Sequence, residues 1–174
     1  MMKEHFTEVG LIRVWESILP VPKFQYEKSD ELEFFVRADN QCAAENVVVA
    51  VEKFYNAGPR VIYGLLGCTY EIKNQAELDV LVGFNDVSTP CSNHDLANSA
   101  GACFLGLDER SARAINSALR ARLEASESGL CGGRLVINYA VSSEIGSSPN
   151  LFGELAMRLI DEIVLVLKGM HVAP

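Results

Sequence analysis

The sequence lacks several features that would mark a membrane, secreted or nucleotide-binding protein. Its longest strongly apolar run, 163–167, is far too short to span a bilayer. The first ten residues, MMKEHFTEVG, have no apolar core and no small-residue cleavage site, so secretion is not expected. There is also no GxxxxGK(S/T) loop of the P-loop type. We therefore expect a cytoplasmic protein with no membrane segment.

Cysteine pairs and internal boundaries are missing as well. The five cysteines are odd in number and form no CxxC motif, so reduced thiols are expected and no metal site is predicted. The chain shows no repeat, low-complexity segment or linker, and its 174 residues fit one domain, 1–174. A domain of this size buries roughly 70% of its unfolded surface, so it needs no disulfide or metal to fold. No motif assigns a cofactor.

Positive charge is also scarce. The net charge is −8, and an acidic protein repels phosphate backbones, so nucleic-acid binding is not expected. Residues 1–87 carry 8 basic and 14 acidic side chains (−6), whereas residues 88–174 carry 7 and 9 (−2). The second half is therefore the better place to look for an anion site.

The periodicity of the apolar residues predicts an α+β protein. The strands alternate instead of being apolar throughout, which favours a mixed β-sheet with helices mainly on one face, a two-layer sandwich. Residues 7–19 fit a strand or a helix, and the later elements run roughly β-α-β-β-α-α-β-α. These are strand 31–37, a helix capped by Asp39 or Asn40 and ended by Gly58-Pro59, strands 60–66 and 77–84, a short helix near 96–103, helix 108–127, strand 134–141 and helix 149–168.

The second face of this sheet has mixed polarity. Phe35 and Leu81 fall on it together with several acidic residues, which is too apolar for water and too polar for a deep core. Coverage by the N-terminal segment or by another subunit would resolve this. We expect a homo-oligomer that buries Phe35 and Leu81.

One candidate site lies in the loop 85–95. Its residues Cys91, His94 and Asp95 are of the types that act as nucleophile, base and orienting acid, and a CxxH pair is also half of a zinc site. No second half of a zinc site is visible. An ordinary polar surface loop is the alternative interpretation.

The other candidate lies between the last strand and the last helix. There Gly146, Ser147 and Ser148 precede Pro149, so free N–H groups and the positive end of the helix dipole would suit a small anion. Plain capping is the alternative, because Ser148 fits the N-cap and Pro149 fits the first helical position.

Two stretches carry a resemblance to a known family. LDVLVGFNDVSTPCSNHDLANSAGACF and RLVINYAVSSEIGSSPNLFGELAMRLI, within residues 78–160, resemble domain IV of elongation factor G. The resemblance implies the βαβ superfold that this domain shares with several ribosomal proteins, and it does not bring the GTPase function. The earlier stretch ELEFFVRADNQCAAENVVVAVEKFYNAGPRVIYGLL is similar to the formaldehyde-activating enzyme. That family has a catalytic histidine where this chain has Leu32, Glu33 and Phe34, so the activity is not transferred.

These observations support two function classes. The first expectation is a non-catalytic, oligomeric assembly or binding module on an elongation-factor-G-domain-IV-like scaffold, without GTPase activity. The second is a small-molecule enzyme or anionic-ligand-binding protein with its site at the 85–95 and 142–148 loops.

Overall fold

A computed structural model describes residues 2–7, 10–16, 21–38, 46–91, 94–125 and 129–170. Within these ranges the chain forms nine β-strands and three α-helices, together with a 3₁₀ turn at Val21–Phe24. The strands are β1 Met2–Thr7, β2 Gly10–Glu16, β3 Asp30–Arg37, β4 Val47–Ala57, β5 Arg60–Ile72, β6 Glu77–Phe84, β7 Thr89–Pro90, β8 Cys103–Leu105 and β9 Gly133–Ser143. The helices are α1 Asp95–Ser99, α2 Glu109–Glu124 and α3 Pro149–Met170.

All described strands belong to one sheet. Seven of them lie in the order β1-β2-β4-β5-β9-β6-β3, and β8 extends the sheet beside the end of β9, with β7 paired to β8. The β6–β9 pair is parallel, and the other described strand pairs are antiparallel. The expected α+β class is confirmed, as a largely antiparallel sheet on which three helices pack.

The two long helices cover one face of the sheet. Ile115 and Leu119 of α2 and Leu159 and Ile163 of α3 are fully buried in the larger hydrophobic cluster. These residues recur at three- and four-residue spacing, so each helix turns one continuous apolar stripe toward the strands. The main core therefore lies between this face and the two helices.

The opposite face carries a second, smaller cluster at the β2–β4–β5–β9 end of the sheet. The 3₁₀ turn and α1 cover it, through Phe24 and Ala97. Its buried members are Trp15, Phe24, Ala50, Tyr63, Leu65, Ala97, Cys103, Tyr139 and Val141. A bulge in β9 contributes to it, because the register with β5 passes from Gly67↔Tyr139 to Cys68↔Ile137 and skips Asn138.

The predicted element order is wrong, chiefly because the expected helix before Gly58-Pro59 is instead strand β4. The run VVVAV is rich in β-branched residues, which favour strands. β4 pairs with β5 over its whole length and with β2 over residues 49–55. Gly58-Pro59, expected to stop a helix, is the loop of the β4–β5 hairpin, with Gly58 at φ +63°. The proposed caps Asp39 and Asn40 lie outside the described residues.

Several other predictions are confirmed or settled. Strands 31–37 and 77–84 and the three later helices are present with boundaries close to those expected. The ambiguous stretch 7–19 contains strand β2, and 60–72 forms one continuous strand. The short helix ends at Ser99, four residues early, because Cys103 already belongs to β8.

The cysteines and Leu81 give mixed outcomes. Cys68, Cys91 and Cys103 are free thiols, as expected, whereas Cys131 is disulfide-bonded.

Leu81, which we expect to be buried by oligomerisation, is already only 1% exposed within the single chain, whereas Phe35 is 56% exposed. Across the described ranges, no helix combines the length and hydrophobicity needed to cross a bilayer.

Candidate functional site

A buried charged cluster lies on the second face, under the start of α1. Glu52 of β4 is 0% exposed and His94, the residue before α1, is 5% exposed. The Nε2 atom of His94 is 2.5 Å from Oε1 of Glu52, and the hydroxyl of Tyr63 donates to the same oxygen at 2.8 Å. One carboxylate oxygen therefore holds both the imidazole and the phenol.

Strand pairing explains why Glu52 faces this cluster. Along β4, Val47, Val49 and Val51 point into the main core, so the intervening residues point to the second face. Glu52 is opposite Arg13 of β2 and Leu65 of β5 in the antiparallel register. Tyr63 lies on the same face of β5, two residues from Leu65, within reach of the carboxylate.

Arg13 connects the cluster to the surface. Its Nη1 and Nη2 atoms donate to the two carboxylate oxygens of Asp95 at 2.9 and 3.0 Å, and its Nε donates to Glu4 at 2.7 Å. Its Nη1 also lies 3.7 Å from Oε2 of Glu52. The hydrogen bond to Arg13 lowers the pKa of Asp95 to about 2, and the same bond raises the pKa of Arg13. Asp95 is therefore ionised at neutral pH.

Aromatic rings surround His94. Its ring meets Phe24 edge-on, with centroids 4.8 Å apart, and lies 6.3 Å from the ring of Trp15. Trp15 and Phe24 are both 1% exposed. These rings exclude water from the imidazole, so its contact with Glu52 operates in a medium of low polarity.

Two atoms of this cluster have no hydrogen-bond partner among the described residues. One is Oε2 of Glu52, an acceptor, and the other is the indole Nε1–H of Trp15, a donor. Buried polar atoms in folded proteins nearly always have a partner. This cluster is therefore unusual, because it contains both a buried donor and a buried acceptor that lack a hydrogen-bond partner on the same face of the sheet.

Cys91, one of the predicted site residues, packs at the margin of the cluster. Its backbone N–H donates to the carbonyl of Cys103 at 2.8 Å, which continues the pairing of β7 with β8. Burial raises the pKa of the Cys91 thiol and raises that of Cys103 to about 11. Both side chains are therefore thiols at neutral pH, and Cys91 is not activated as a nucleophile.

The loop before α3 uses its polar groups internally. The Ser148 hydroxyl accepts from the N–H of Leu151 at 3.2 Å and Pro149 is the first helical residue, so the predicted cap is confirmed. The Ser147 hydroxyl donates to the carbonyl of Tyr63, and the N–H of Gly146 donates to the hydroxyl of Ser143.

The open cleft beside this loop measures about 460 Å³, and the carboxylates of Asp86, Asp108 and Glu144 line it without a lysine or arginine among the described lining residues. Anion binding by Gly146, Ser147 and Ser148 remains a prediction that this acidic lining does not favour.

The two predicted loops share the cleft before α3, since Asp86 and Val87 line it together with Ser147 and Ser148, but the cleft is not lined by Cys91, His94 or Asp95. Tyr63 connects this loop region to the buried cluster. The carbonyl of Tyr63 accepts from Ser147, whereas its hydroxyl donates to Glu52, beside His94. Of the predicted site residues, His94 belongs to the buried cluster, and the exposed Asp95 contacts it from the solvent side. Cys91 lies at the margin of the cluster, and Ser147 contacts Tyr63 from the other loop. Within the described ranges, no three His, Cys, Asp or Glu side chains are placed to share a metal ion.

Sequence reasoning missed Glu52, Arg13, Tyr63 and Trp15. A signal for Glu52 was present, because it is a lone charge directly after the apolar run VVVAV. The helical interpretation of this segment concealed it. A helix would place Glu52 one turn after Val48, at the margin of the apolar stripe, whereas strand β4 places it on the second face together with both Val48 and Ala50. Arg13 likewise requires the strand alternative for residues 7–19.

No family model, curated protein or solved structure matches this chain. Its chemistry is therefore inferred from the site alone.

Proposed function

We propose that this chain is a small-molecule enzyme of the general acid–base class, in which His94 transfers a proton and Glu52 orients it. The buried Glu52–His94 pair carries this proposal. Taking a carboxylate such as that of Glu52 out of water costs several kcal/mol, and apolar residues of similar size would cover the face without that cost. Desolvated titratable groups held together by specific partners are typical of functional sites.

In this proposal the two ring nitrogens of His94 have different tasks. Glu52 holds Nε2 in place, so Nδ1 is the nitrogen left to exchange a proton with a substrate. Nδ1 lies 3.4 Å from Oδ1 of Asp95, toward the solvent side of the cluster. A proton that moves from a substrate to Nδ1 creates an imidazolium between two carboxylates, which stabilise its charge until the proton returns to the product.

Asp95 and Arg13 serve as positioning residues in this proposal. The paired hydrogen bonds between them fix the first turn of α1 against β2, and thereby the backbone that carries His94. The side chain of Asp95 is 65% exposed, whereas Glu52 is fully enclosed. Solvent therefore reaches the imidazole from the Asp95 side, where Nδ1 lies.

Ligand-dependent stabilisation tests this proposal. The wild type and His94→Gln are heated with a panel of small neutral, anionic and cationic metabolites, and His5→Gln, which alters an exposed histidine on β1, is the matched control. A ligand present at about a hundred times its Kd should stabilise the folded state by about 2.7 kcal/mol. For a chain of this size that raises Tm by roughly 5–10 °C.

The expected result is stabilisation of the wild type and of His5→Gln, with loss of the effect in His94→Gln. Compounds that stabilise the protein are then tested for turnover. Two results would contradict the proposal: no stabilisation by any of the three classes of compound, or equal stabilisation of His94→Gln.

An oligomeric assembly or binding module is the second candidate function. It is favoured by the two outer strands, because β1 and β3 end the sheet order and carry exposed aromatic residues. Phe6 of β1 is 79% exposed, and Phe35 of β3 is more than half exposed. Unpaired strand edges with apolar side chains are a recognised surface for association.

A further inference from the structure

The polar atoms of Trp15 and Glu52 that lack a hydrogen bond lie on neighbouring strands. In the β2–β4 register Trp15 is opposite Ala50 and Arg13 is opposite Glu52, so Trp15 and Glu52 are diagonal neighbours on one face. Diagonal residues are within reach of each other when one of them is aromatic. Both side chains also border His94, one through its ring and the other through Oε1.

We infer that the indole N–H of Trp15 and Oε2 of Glu52 form a subsite for the hydroxyl group of a small neutral molecule. This inference rests on the proposed function and names its substrate class. A hydroxyl oxygen accepts from the indole N–H, and its hydrogen is donated to Oε2, so one group satisfies both orphan atoms. The ligand and His94 are then bound to the two oxygens of the same carboxylate.

The charges around the subsite select against ions of either sign. An anion would meet the carboxylate of Glu52, which is fully buried and so poorly screened. A cation would be attracted to Oε2, but it cannot accept from the Trp15 N–H and it would lie beside the guanidinium of Arg13, whose Nη1 is 3.7 Å from Oε2. A neutral hydroxyl avoids both conflicts, and the rings of Trp15 and Phe24 suit a short apolar portion beside it.

The hydroxyl has two possible sources, an alcohol-type substrate or a resident water molecule, and the experiment separates them. Trp15 is the only tryptophan of the chain, so the protein has a single indole N–H resonance that reports on this subsite alone. The wild-type protein is titrated with ethanol, acetate or methylammonium, which are similar in size and differ in charge. The position of the indole resonance is followed by ¹H–¹⁵N spectroscopy.

We expect ethanol to shift the indole resonance saturably, whereas acetate and methylammonium leave it in place. Glu52→Gln should weaken the apparent affinity for ethanol about tenfold, the loss expected when a charged acceptor is removed. Glu162→Gln is the matched control, because Glu162 is another buried glutamate and lies on α3. It should leave the ethanol response unchanged.

A second variant keeps the test decisive if Glu52→Gln does not fold. Trp15→Phe retains an aromatic ring in the cluster and removes only the donor, and ethanol binding is then followed by saturation transfer to its methyl group. The transfer seen with the wild type should be lost. Retained transfer in Trp15→Phe would overturn the subsite.

Two further outcomes would overturn the subsite for substrates. One is an indole resonance that does not respond saturably to ethanol. The other is an indole proton in contact with a long-lived water that ethanol does not displace, which would make the site structural. Failure of the proposed function gives a different result from failure of the subsite. If only the proposed function is wrong, ligands stabilise His94→Gln as much as the wild type, and the indole resonance still responds to ethanol.

Discussion

Glu52 joins side chains from β2, β5 and the start of α1 in one enclosed cluster. Glu52→Ala would leave His94, the Tyr63 hydroxyl and Arg13 without their shared carboxylate, while all remain buried or nearly so. Breaking a buried pair by removing one partner typically costs about 3–5 kcal/mol of unfolding free energy. Chemical denaturation at neutral pH measures this. A loss below about 1 kcal/mol would show that the cluster relaxes easily without the carboxylate.

The Arg13–Asp95 pair should make a small, pH-dependent contribution to stability. The folded-state pKa of Asp95 is about 2, below the ordinary value of 3.8, so the contribution is complete above about pH 4 and is lost as the pH falls through 2. Because Asp95 is largely exposed, solvent screening limits it to about 1 kcal/mol. The comparison of wild type with Asp95→Asn should show this difference at pH 6 and none below pH 2. A difference in stability between the two proteins that persists below pH 2 would show that it does not arise from the ionised Asp95 carboxylate.

At the scale of single residues, sequence patterns predicted part of the site. His94 and Asp95 were singled out because the loop 85–95 concentrates reactive residue types; His94 lies in the buried cluster and Asp95 contacts it from the solvent side. Glu52, Arg13 and Trp15 could not be assigned, because their partners are far away in the chain: 82 residues separate Arg13 from Asp95. Contacts of that kind depend on strand order, which residue types alone do not specify.

The β4 strand shows where local pattern and tertiary structure disagree. Its apolar residues fit a helical stripe as well as a strand, and the β-branched content and the pairing with β2 and β5 decided the outcome. Val51 is fully buried in this strand, as Leu159 is in α3. Val51→Ala and Leu159→Ala should therefore each cost roughly 1–4 kcal/mol in chemical denaturation. A loss under about half a kcal/mol at either position would place its side chain outside the core.

The N-terminus of α3, which Ser148 caps, provides a second test at the scale of single elements. Ser148→Ala removes the hydroxyl that accepts from the N–H of Leu151, so it should cost about 1 kcal/mol of unfolding free energy. Ser117→Ala, an exposed change within α2, is the control and should be neutral or slightly stabilising, because alanine favours helices. Equal effects of the two changes would argue against the cap.

For the whole molecule, periodicity predicted the α+β class and the helix-covered face correctly. It left open whether the N-terminal segment or another subunit covers the second face, and it did not assign that role to the 3₁₀ turn and α1. The 3₁₀ turn, α1 and the β7–β8 pair are short elements with few residues from which to detect a period, so their packing on this face was hidden. We therefore expect a partner subunit to bind at the exposed edges of the sheet rather than over the entire second face.

The prediction of a homo-oligomer therefore concentrates on Phe35 and Phe6. We expect at least a dimer by light scattering at tens of micromolar protein, with more than about 1,000 Å² buried between copies. Each chain carries a net charge of −8, so like-charge repulsion should favour dissociation at low salt and association at physiological salt, where the screening length is about 8 Å.

Paired variants identify the edge involved. Phe35→Asp places a charge on β3 and Phe6→Asp places one on β1, so the variant at the interface should be monomeric while the other remains associated. Because both side chains are exposed in the single chain, neither change should unfold it. A wild-type monomer at physiological salt would exclude the assembly module, whereas a dimer that survives both substitutions would place the interface on a face other than these two edges.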